Sequence, residues 1–476
     1  MLFNSFEFLL FLPVVLLLYW FVFGKSLRWQ NILVLIASYF FYGWWSWKFM
    51  GLLAFSTILD YSYGFGVASP NKKKAKLFLW LSIINNLGIL GIFKYYNFFA
   101  TELGEGLALL GLNTNPVLLN IALPVGISFY TFHGMSYVFD IYRSKIKPVK
   151  SFIDYAVFVG FFPLLVAGPI ERASHLLPQV QTRRTFNKTQ ATEGLRLIIW
   201  GFFKKIVIAD SLAVSVNQIF SNYQDMGGYS LAIGAIAFSF QIYGDFSGYS
   251  DIAIGTAKLM GFELLSNFKF PYFSRDIAEF WRRWHISLTS WFRDYLYIPL
   301  GGSKQGRAKT IRNIFIIFLV SGFWHGASWN FIFWGFIHAC AFLPLMLLKR
   351  NRIHISDIAA QNRLIPSLKE ALQMISTFTL VTIAWIFFRA ESLTDAVNYI
   401  FNMFSRIAQH PLKFDISYIS VFIYIIPLIV LDWLLRHNER NLSSKILNFI
   451  ILTLLFWFIV LKAFGGQEIA FIYFQF

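Results

Sequence analysis

One cysteine, 24 acidic residues and a charged fraction of 14% are the first scarcities in this chain of 476 residues. With Cys340 alone no internal disulfide can form, and cysteine usage says nothing about the redox compartment. So few charges exclude a single soluble core, because soluble domains carry about 25% charged residues. No sustained polar stretch, internal repeat or low-complexity tract stands out either, so residues 1–476 read as a single membrane-embedded domain. There is no nucleophile elbow, no phosphate-binding glycine loop and no histidine–carboxylate set with zinc spacing. Neither a metal site nor a bound cofactor is expected.

What the chain has in excess is apolar surface: 57% hydrophobic and 20% aromatic residues. Apolar windows of about 17 to 25 residues, long enough to cross a bilayer, recur along the whole length. They fall near 6–24, 31–48, 50–68, 77–98, 120–141, 152–170, 194–220, 229–256, 311–347 as two short helices, 371–390, 417–435 and 446–464. The expected fold class is therefore all-α, a polytopic transmembrane helical protein of roughly 11–13 spans. The mixed segment between Pro169 and Lys205 reads as re-entrant or interfacial. A formal net charge of +17 would suggest nucleic acid in a soluble protein. Here the basic residues form short clusters between apolar windows, so they read as topology signals, with membrane lipids as partners and no nucleic acid. Under the positive-inside rule the N-terminus, the 101–120 connection and the C-terminal tail face outward. The first apolar window lacks a basic leader and a small-residue cleavage site, so it is expected to be retained.

Chemistry concentrates in two runs. The first, residues 280–302, contains Trp281, Arg282, Arg283 and His285 and ends at Gly301-Gly302. As one amphipathic helix it would put Trp281 and His285 on one face, with Arg282 and Arg283 reaching headgroups or an anionic ligand. Composition alone favours a membrane-surface helix anchored by tryptophans and arginines. The second run, residues 318–331, places His325 inside an apolar window beside Trp324, Gly326, Ser328 and Asn330. An ionisable side chain at that depth is disfavoured by about 2 to 3 kcal/mol unless it faces a cavity, and the small and polar neighbours suit a helix break lining one. A neutral imidazole can accept a hydroxyl proton near neutral pH, which acyl transfer to an alcohol requires. His133 is a reserve candidate, and His338 reads as packing. Asp245 and Asp251 lie within another window, where they either pair with arginines such as Arg282, Arg283 or Arg293 or line a substrate path.

These runs, together with Gly244-Asp245-Phe246-Ser247-Gly248-Tyr249-Ser250-Asp251, resemble the membrane-bound O-acyltransferases, in particular the bacterial alginate O-acetylase-like branch. The resemblance extends from the Met1-Leu2-Phe3-Asn4-Ser5 opening to the Phe471–Phe476 end. It implies a multi-helix fold with a funnel and tunnel, and an acetyl group taken from cytoplasmic acetyl-CoA to an exported polysaccharide such as alginate. A periplasmic, SGNH-like esterase-type acetyltransferase partner is implied as well, with this chain itself a multi-pass protein of the bacterial inner (plasma) membrane. Carried over by motif, His325 matches the catalytic histidine, His285 a second active-site position, and Tyr473 a tyrosine that can carry the acyl group briefly. Trp281, Arg282, Arg283, Trp324, Asn330 and Asp251 are the expected substrate-binding residues. The rivals are a peptidoglycan O-acetyltransferase of the same family and a transporter or flippase for a glycan or lipid-linked sugar, which would need a substrate or proton path through its intramembrane charges.

Overall fold

Several helix starts in this chain are set by side-chain oxygens. In the computed structural model, which describes residues 1–112, 115–355, 357–411, 418–438, 445–463 and 471, Ser5, Asn71, Ser151, Asp276, Ser328 and Ser392 each accept a hydrogen bond from an N–H in the following first turn. Ser367 and Glu370 cap each other's backbone reciprocally. Such a cap is worth about 1 kcal/mol, and it fixes where an apolar run begins to coil.

In chain order the helices are α1 Phe6–Leu17, α2 Leu27–Gly43, α3 Trp47–Val67, α4 Lys72–Leu90, α5 Tyr96–Leu109, α6 Ile127–Tyr142, α7 Phe152–Gly160, α8 Phe162–Leu165, α9 Ala173–Val180 and α10 Lys188–Phe202. They continue as α11 Asp210–Ser221, α12 Gly228–Leu259, α13 Ile277–Arg283, α14 Ile286–Phe292, α15 Arg307–His325, α16 Trp329–Leu347, α17 Leu368–Arg389, α18 Leu393–Gln409, α19 Phe422–Leu435 and α20 Lys445–Ala463. Among the described residues there is no strand. The fold divides into two units, Met1–Leu195 with Ala253–Leu265, and Arg196–Ile252 with Ser266–Phe476.

In the first unit the polar residues of α6 are buried rather than lipid-facing: Ser128, Thr131, His133, Ser136 and Asp140 all lie inside. The single span expected over 152–170 does not form. Pro163 lacks an N–H and is tolerated only in a first turn, so α7 ends at Gly160 and α8 restarts with the proline in its first turn. Both pieces are buried, with Phe158, Phe161, Phe162, Leu164 and Leu165 fully inaccessible.

In the second unit α15 and α16 form an antiparallel hairpin that turns at Gly326–Ser328. Its two backbones touch. A Cβ on Gly322 would lie 2.1 Å from the Phe331 carbonyl oxygen, and one on Gly335 2.2 Å from that of Phe318. Close glycine-mediated approach of this kind is how helices pack where water gives no driving force.

Among the described residues, three helical stretches, Lys72–Leu109, Trp329–Leu347 and Leu368–Arg389, are long and apolar enough to cross a membrane. Phe6–Val22, Ile419–Leu435 and Asn448–Lys462 are shorter apolar helices. Large apolar side chains such as Phe21, Leu109 and Phe449 stand more than 70% exposed, a surface suited to lipid rather than water. The chain is an all-α membrane protein.

Candidate active site

His325 is the last residue of α15, and Gly326 leaves the helix in an extended conformation. The imidazole is 3% exposed. Its ring lies 4.8 Å from that of Trp324, 5.2 Å from Trp334 and 5.2 Å from Phe388, edge-on to all three. Beyond the break, Ser328 caps α16, and Asn330 Nδ2 donates to the Ala390 carbonyl at 2.7 Å, tying the start of α16 to the end of α17. Asn330 therefore braces the turn that carries His325.

His285 also neighbours Trp324, with ring centroids 5.9 Å apart. The expectation of one helix carrying Trp281 and His285 on a shared face is corrected by the structure. α13 ends at Arg283, Trp284 is extended, and His285 adopts φ 42° and ψ 53°, a left-handed conformation that caps α14. That conformation is strained for a residue with a Cβ, so surrounding contacts must hold it. They do: the Ile286 N–H donates to the Asn267 carbonyl at 2.9 Å, and Asn267 Oδ1 lies 3.0 Å from His285 Nδ1. Phe246 meets the imidazole edge-on at 4.6 Å. Trp281 turns instead toward Phe318, Trp334 and His338.

Arg282 and Arg283 brace a loop. Arg282 donates to the carbonyls of Asn351 and His354, both at 2.9 Å. Arg283 pairs with Glu279 at 2.8 Å, and Arg275 joins Glu279 to Asp357. Burial opposes ionisation of Asp357, but the Arg275 guanidinium at 2.8 Å holds that carboxyl below its ordinary range.

The carboxylates of α12 have lysine partners, where arginines were expected. Asp251 pairs with Lys204 at 2.6 Å, and Asp245 with Lys205 at 2.7 Å, while Lys205 also reaches Asp210 at 2.7 Å. Arg293 pairs with its neighbour Asp294. Both lysines sit on a π-helical stretch, Phe203–Ala209, which turns two consecutive side chains toward α12. Asp432, on the apolar helix α19, accepts from the Tyr243 hydroxyl at 2.7 Å. Buried ions of opposite sign within an apolar unit must meet in this way or remain neutral.

Tyr473 lies outside the described residues. Phe471, two positions earlier, is 1% exposed and packs on Tyr249 at 4.8 Å and on Phe246 at 6.1 Å, the same Phe246 that contacts His285. Sequence reasoning passed over Asn267 and Asp432, and it read Lys204 only as part of an interfacial segment. The intramembrane Lys204 and Asp432 carried the signal that charges at depth need partners. Asn267, in an unremarkable loop, carried none.

The helix break at His325, the buried His285 that shares the Trp324 indole with it, and the apolar exterior mark this region as the candidate site. The membrane-bound O-acyltransferase family model matches residues 126–383. The probable alginate O-acetylase of Pseudomonas putida is 42% identical over 408 residues, covering 85% of this chain and 80% of that protein. The peptidoglycan O-acetyltransferase of Helicobacter pylori is 31% identical over 529 aligned positions, covering 100% of this chain and 98% of that protein. The teichoic acid D-alanyltransferase of Bacillus subtilis is 29% identical over 46% of this chain and 58% of that protein. This chain belongs to the membrane-bound O-acyltransferase family. It is an O-acyltransferase, and its matched segment contains both histidine runs.

Proposed function

We propose that this protein is a multi-pass O-acetyltransferase of the bacterial inner membrane, one embedded catalytic domain that moves acetyl from acetyl-CoA toward hydroxyls of an exported polysaccharide. The observation that carries this reading is His325, buried at the broken end of α15 with His285 sharing the Trp324 indole. The two long-matching relatives support the acetyl group, one acting on alginate and one on peptidoglycan by name.

In this reading His325 is the general base. Its neutral imidazole removes the proton of the attacking hydroxyl as the oxygen bonds to the thioester carbonyl carbon. The carbon–sulfur bond then breaks, and the proton passes to the leaving thiolate, giving free CoA and an ester. The tail tyrosine, Tyr473, is proposed as the first hydroxyl to be acylated, handing the acetyl group to a sugar or to a periplasmic SGNH-like partner. The seat of Phe471 beside Phe246 supports this, because two further residues add at most about 7 Å of chain. Trp281 and Trp324 pack among the rings around the two histidines, and Asn330 braces the turn that carries His325. Arg282 and Arg283, engaged with the 351–357 carbonyls, brace that loop rather than bind the donor's phosphates.

The test is purified protein with radiolabelled acetyl-CoA, comparing wild type, His325→Ala and Tyr473→Phe for CoA release and for label retained on the chain. His325→Ala should lower turnover about 100-fold or more while the protein accumulates normally in the membrane. Full activity in that variant overturns the assignment. Label retained in Tyr473→Phe removes Tyr473 as the relay and leaves direct transfer or another acceptor on the chain.

A further inference from the structure

We propose that Asn267 is a positioning residue that locks His285 in its Nδ1–H tautomer, so that Nε2 meets bound substrate as a proton acceptor and not as a donor. Asn267 follows α12 in the loop to α13, is 1% exposed, and bridges two parts of the site.

The orientation of its amide follows from its partners. The Ser287 backbone N–H can only donate, and it points at one Asn267 side-chain atom, which must therefore be the carbonyl oxygen. The same oxygen accepts from the Ser287 hydroxyl at 2.9 Å. The amide nitrogen then faces Ser250 Oγ at 3.0 Å, on the polar face of α12. An oxygen 3.0 Å from His285 Nδ1 requires a hydrogen on that nitrogen. In a neutral ring the lone pair is then on Nε2, which is buried and has no hydrogen-bond partner among the described residues. A buried polar nitrogen left open in this way needs a reason, and a transiently bound hydroxyl supplies one.

The surroundings make the tautomer matter. Among the described residues, the rings packed against the imidazole are Phe246 of α12, Phe268 of the same loop as Asn267, and Trp324 of α15. None of them titrates, so Asn267 is the side chain whose polarity reaches the ring. Through its carbonyl the same residue also holds Ile286, and hence the left-handed turn that aims the ring. Metal-binding histidines show the same logic, where a partner on one nitrogen fixes what the other offers and its loss costs 10- to 100-fold in activity or affinity.

This inference rests on His285 belonging to the acyl-transfer site, and the experiment separates the two. Acetyl-CoA turnover is measured across pH for wild type, His285→Ala, Asn267→Leu, Asn267→Asp and the His285→Ala/Asn267→Leu double variant, with membrane accumulation as control. Asn267→Leu should lower kcat about 10- to 100-fold with KM for acetyl-CoA little changed. The double variant should be no worse than His285→Ala alone. Asn267→Asp keeps the acceptor oxygen, so it should restore much of the rate. Its carboxylate would favour the charged imidazolium, so the acid limb of the pH–rate profile should move to higher pH. Additive losses in the double variant, or an Asn267→Asp profile that matches wild type, overturn the positioning role. If Asn267→Leu fails to accumulate, the Asn267→Asp profile still decides. Wild-type turnover in His285→Ala sinks the placement of His285 itself, and the inference with it.

Discussion

Two buried histidines, one in each unit, are used in opposite ways. His133 on α6 is 0% exposed, and both of its nitrogens are engaged: Nε2 accepts the Glu171 N–H at 3.2 Å, and Nδ1 faces the Val159 carbonyl at 3.5 Å. The imidazole acts as a two-ended strut, joining α6 to the end of α7 and to the segment before α9. His285 is equally buried, yet one nitrogen is fixed by Asn267 and the other is open. Depth alone therefore says little about a histidine in a membrane protein. The informative feature is a ring that is oriented at one end and unengaged at the other, because catalysis needs both a fixed direction and a free lone pair.

The sharpest way to break this comparison is to remove each ring. In the second unit the larger loss is expected at the proposed base: His325→Ala should lower turnover about 100-fold or more with little loss of protein, as argued above, whereas His133→Ala should do the reverse. Removing the His133 ring leaves a cavity and an unpaired, buried Glu171 N–H, which together should destabilise the fold by about 3 kcal/mol. The check is thermal unfolding in detergent alongside turnover per folded molecule. A His133→Ala protein that melts normally but does not turn over would place chemistry in the first unit.

A smaller effect is expected at the hairpin that carries His325. In Gly322→Ala the new methyl group meets the Phe331 carbonyl, a backbone atom that cannot swing aside, so α15 and α16 must part. Overpacking of this kind costs about 1 to 3 kcal/mol. Because the hairpin turn positions His325, turnover should fall together with stability. Unchanged unfolding in this variant would mean that the two helices are not held at this distance.

His338 refines the rule from a third direction. Both of its nitrogens lack partners among the described residues, and its ring lies parallel to Phe280 at 6.3 Å, beside Trp281 and Trp334. It is open at both ends and oriented by packing alone. His338→Phe should therefore keep turnover and raise stability by about 1 kcal/mol, since a phenyl ring fills the same space without an unsatisfied buried polar group. Turnover lost in that variant would show that orientation by hydrogen bonding is not required, and would bring His338 into the site.

Apolar length and charge spacing made the helix positions readable in sequence, and most expected windows coincide with observed helices to within a few residues. The exceptions have local causes. Pro163 splits 152–170, a break that its missing N–H explains once the proline is taken seriously. No glycine or proline marks the break at Trp284–His285, so Trp-Arg-Arg-Trp-His-Ile-Ser reads as one helix; tertiary contacts from Asn267 override that local preference. His325 stood out because a histidine in an apolar run is conspicuous, whereas His285 sat in a polar run and entered as a candidate through its motif. Their supports did not stand out, because an asparagine in a loop looks the same whether it faces water or an imidazole. The lysine partners of Asp245 and Asp251 were absent from both readings, arginine pairing or a substrate path, for a related reason: helical spacing within α12 cannot show which neighbouring helix supplies the opposite charge.

The smallest expected effect lies beside the His133 strut, at the half-exposed His175, and it tests whether the first unit responds to pH without catalysing anything. Its Nδ1 lies 2.7 Å from Glu171 Oε2, while Glu171 Oε1 accepts the Leu265 N–H at 2.6 Å. The hydrogen bond to Glu171 raises the His175 pKa above its ordinary value. A raised histidine pKa stabilises the fold fully below the unfolded value of about 6.5, and that stabilisation is lost as pH rises through the higher folded value. Because the side chain is 38% exposed, solvent and salt screen the pair, and the contribution is about 0.5 kcal/mol or less. Wild-type protein in detergent should then lose slightly more thermal stability between pH 6 and pH 8 than His175→Gln, with the difference shrinking at high salt. Identical pH dependence in the two proteins would mean that the Glu171–His175 contact contributes nothing, leaving the Glu171 backbone N–H to His133 and the Leu265 N–H to Glu171 as the bonds that hold this corner of the first unit.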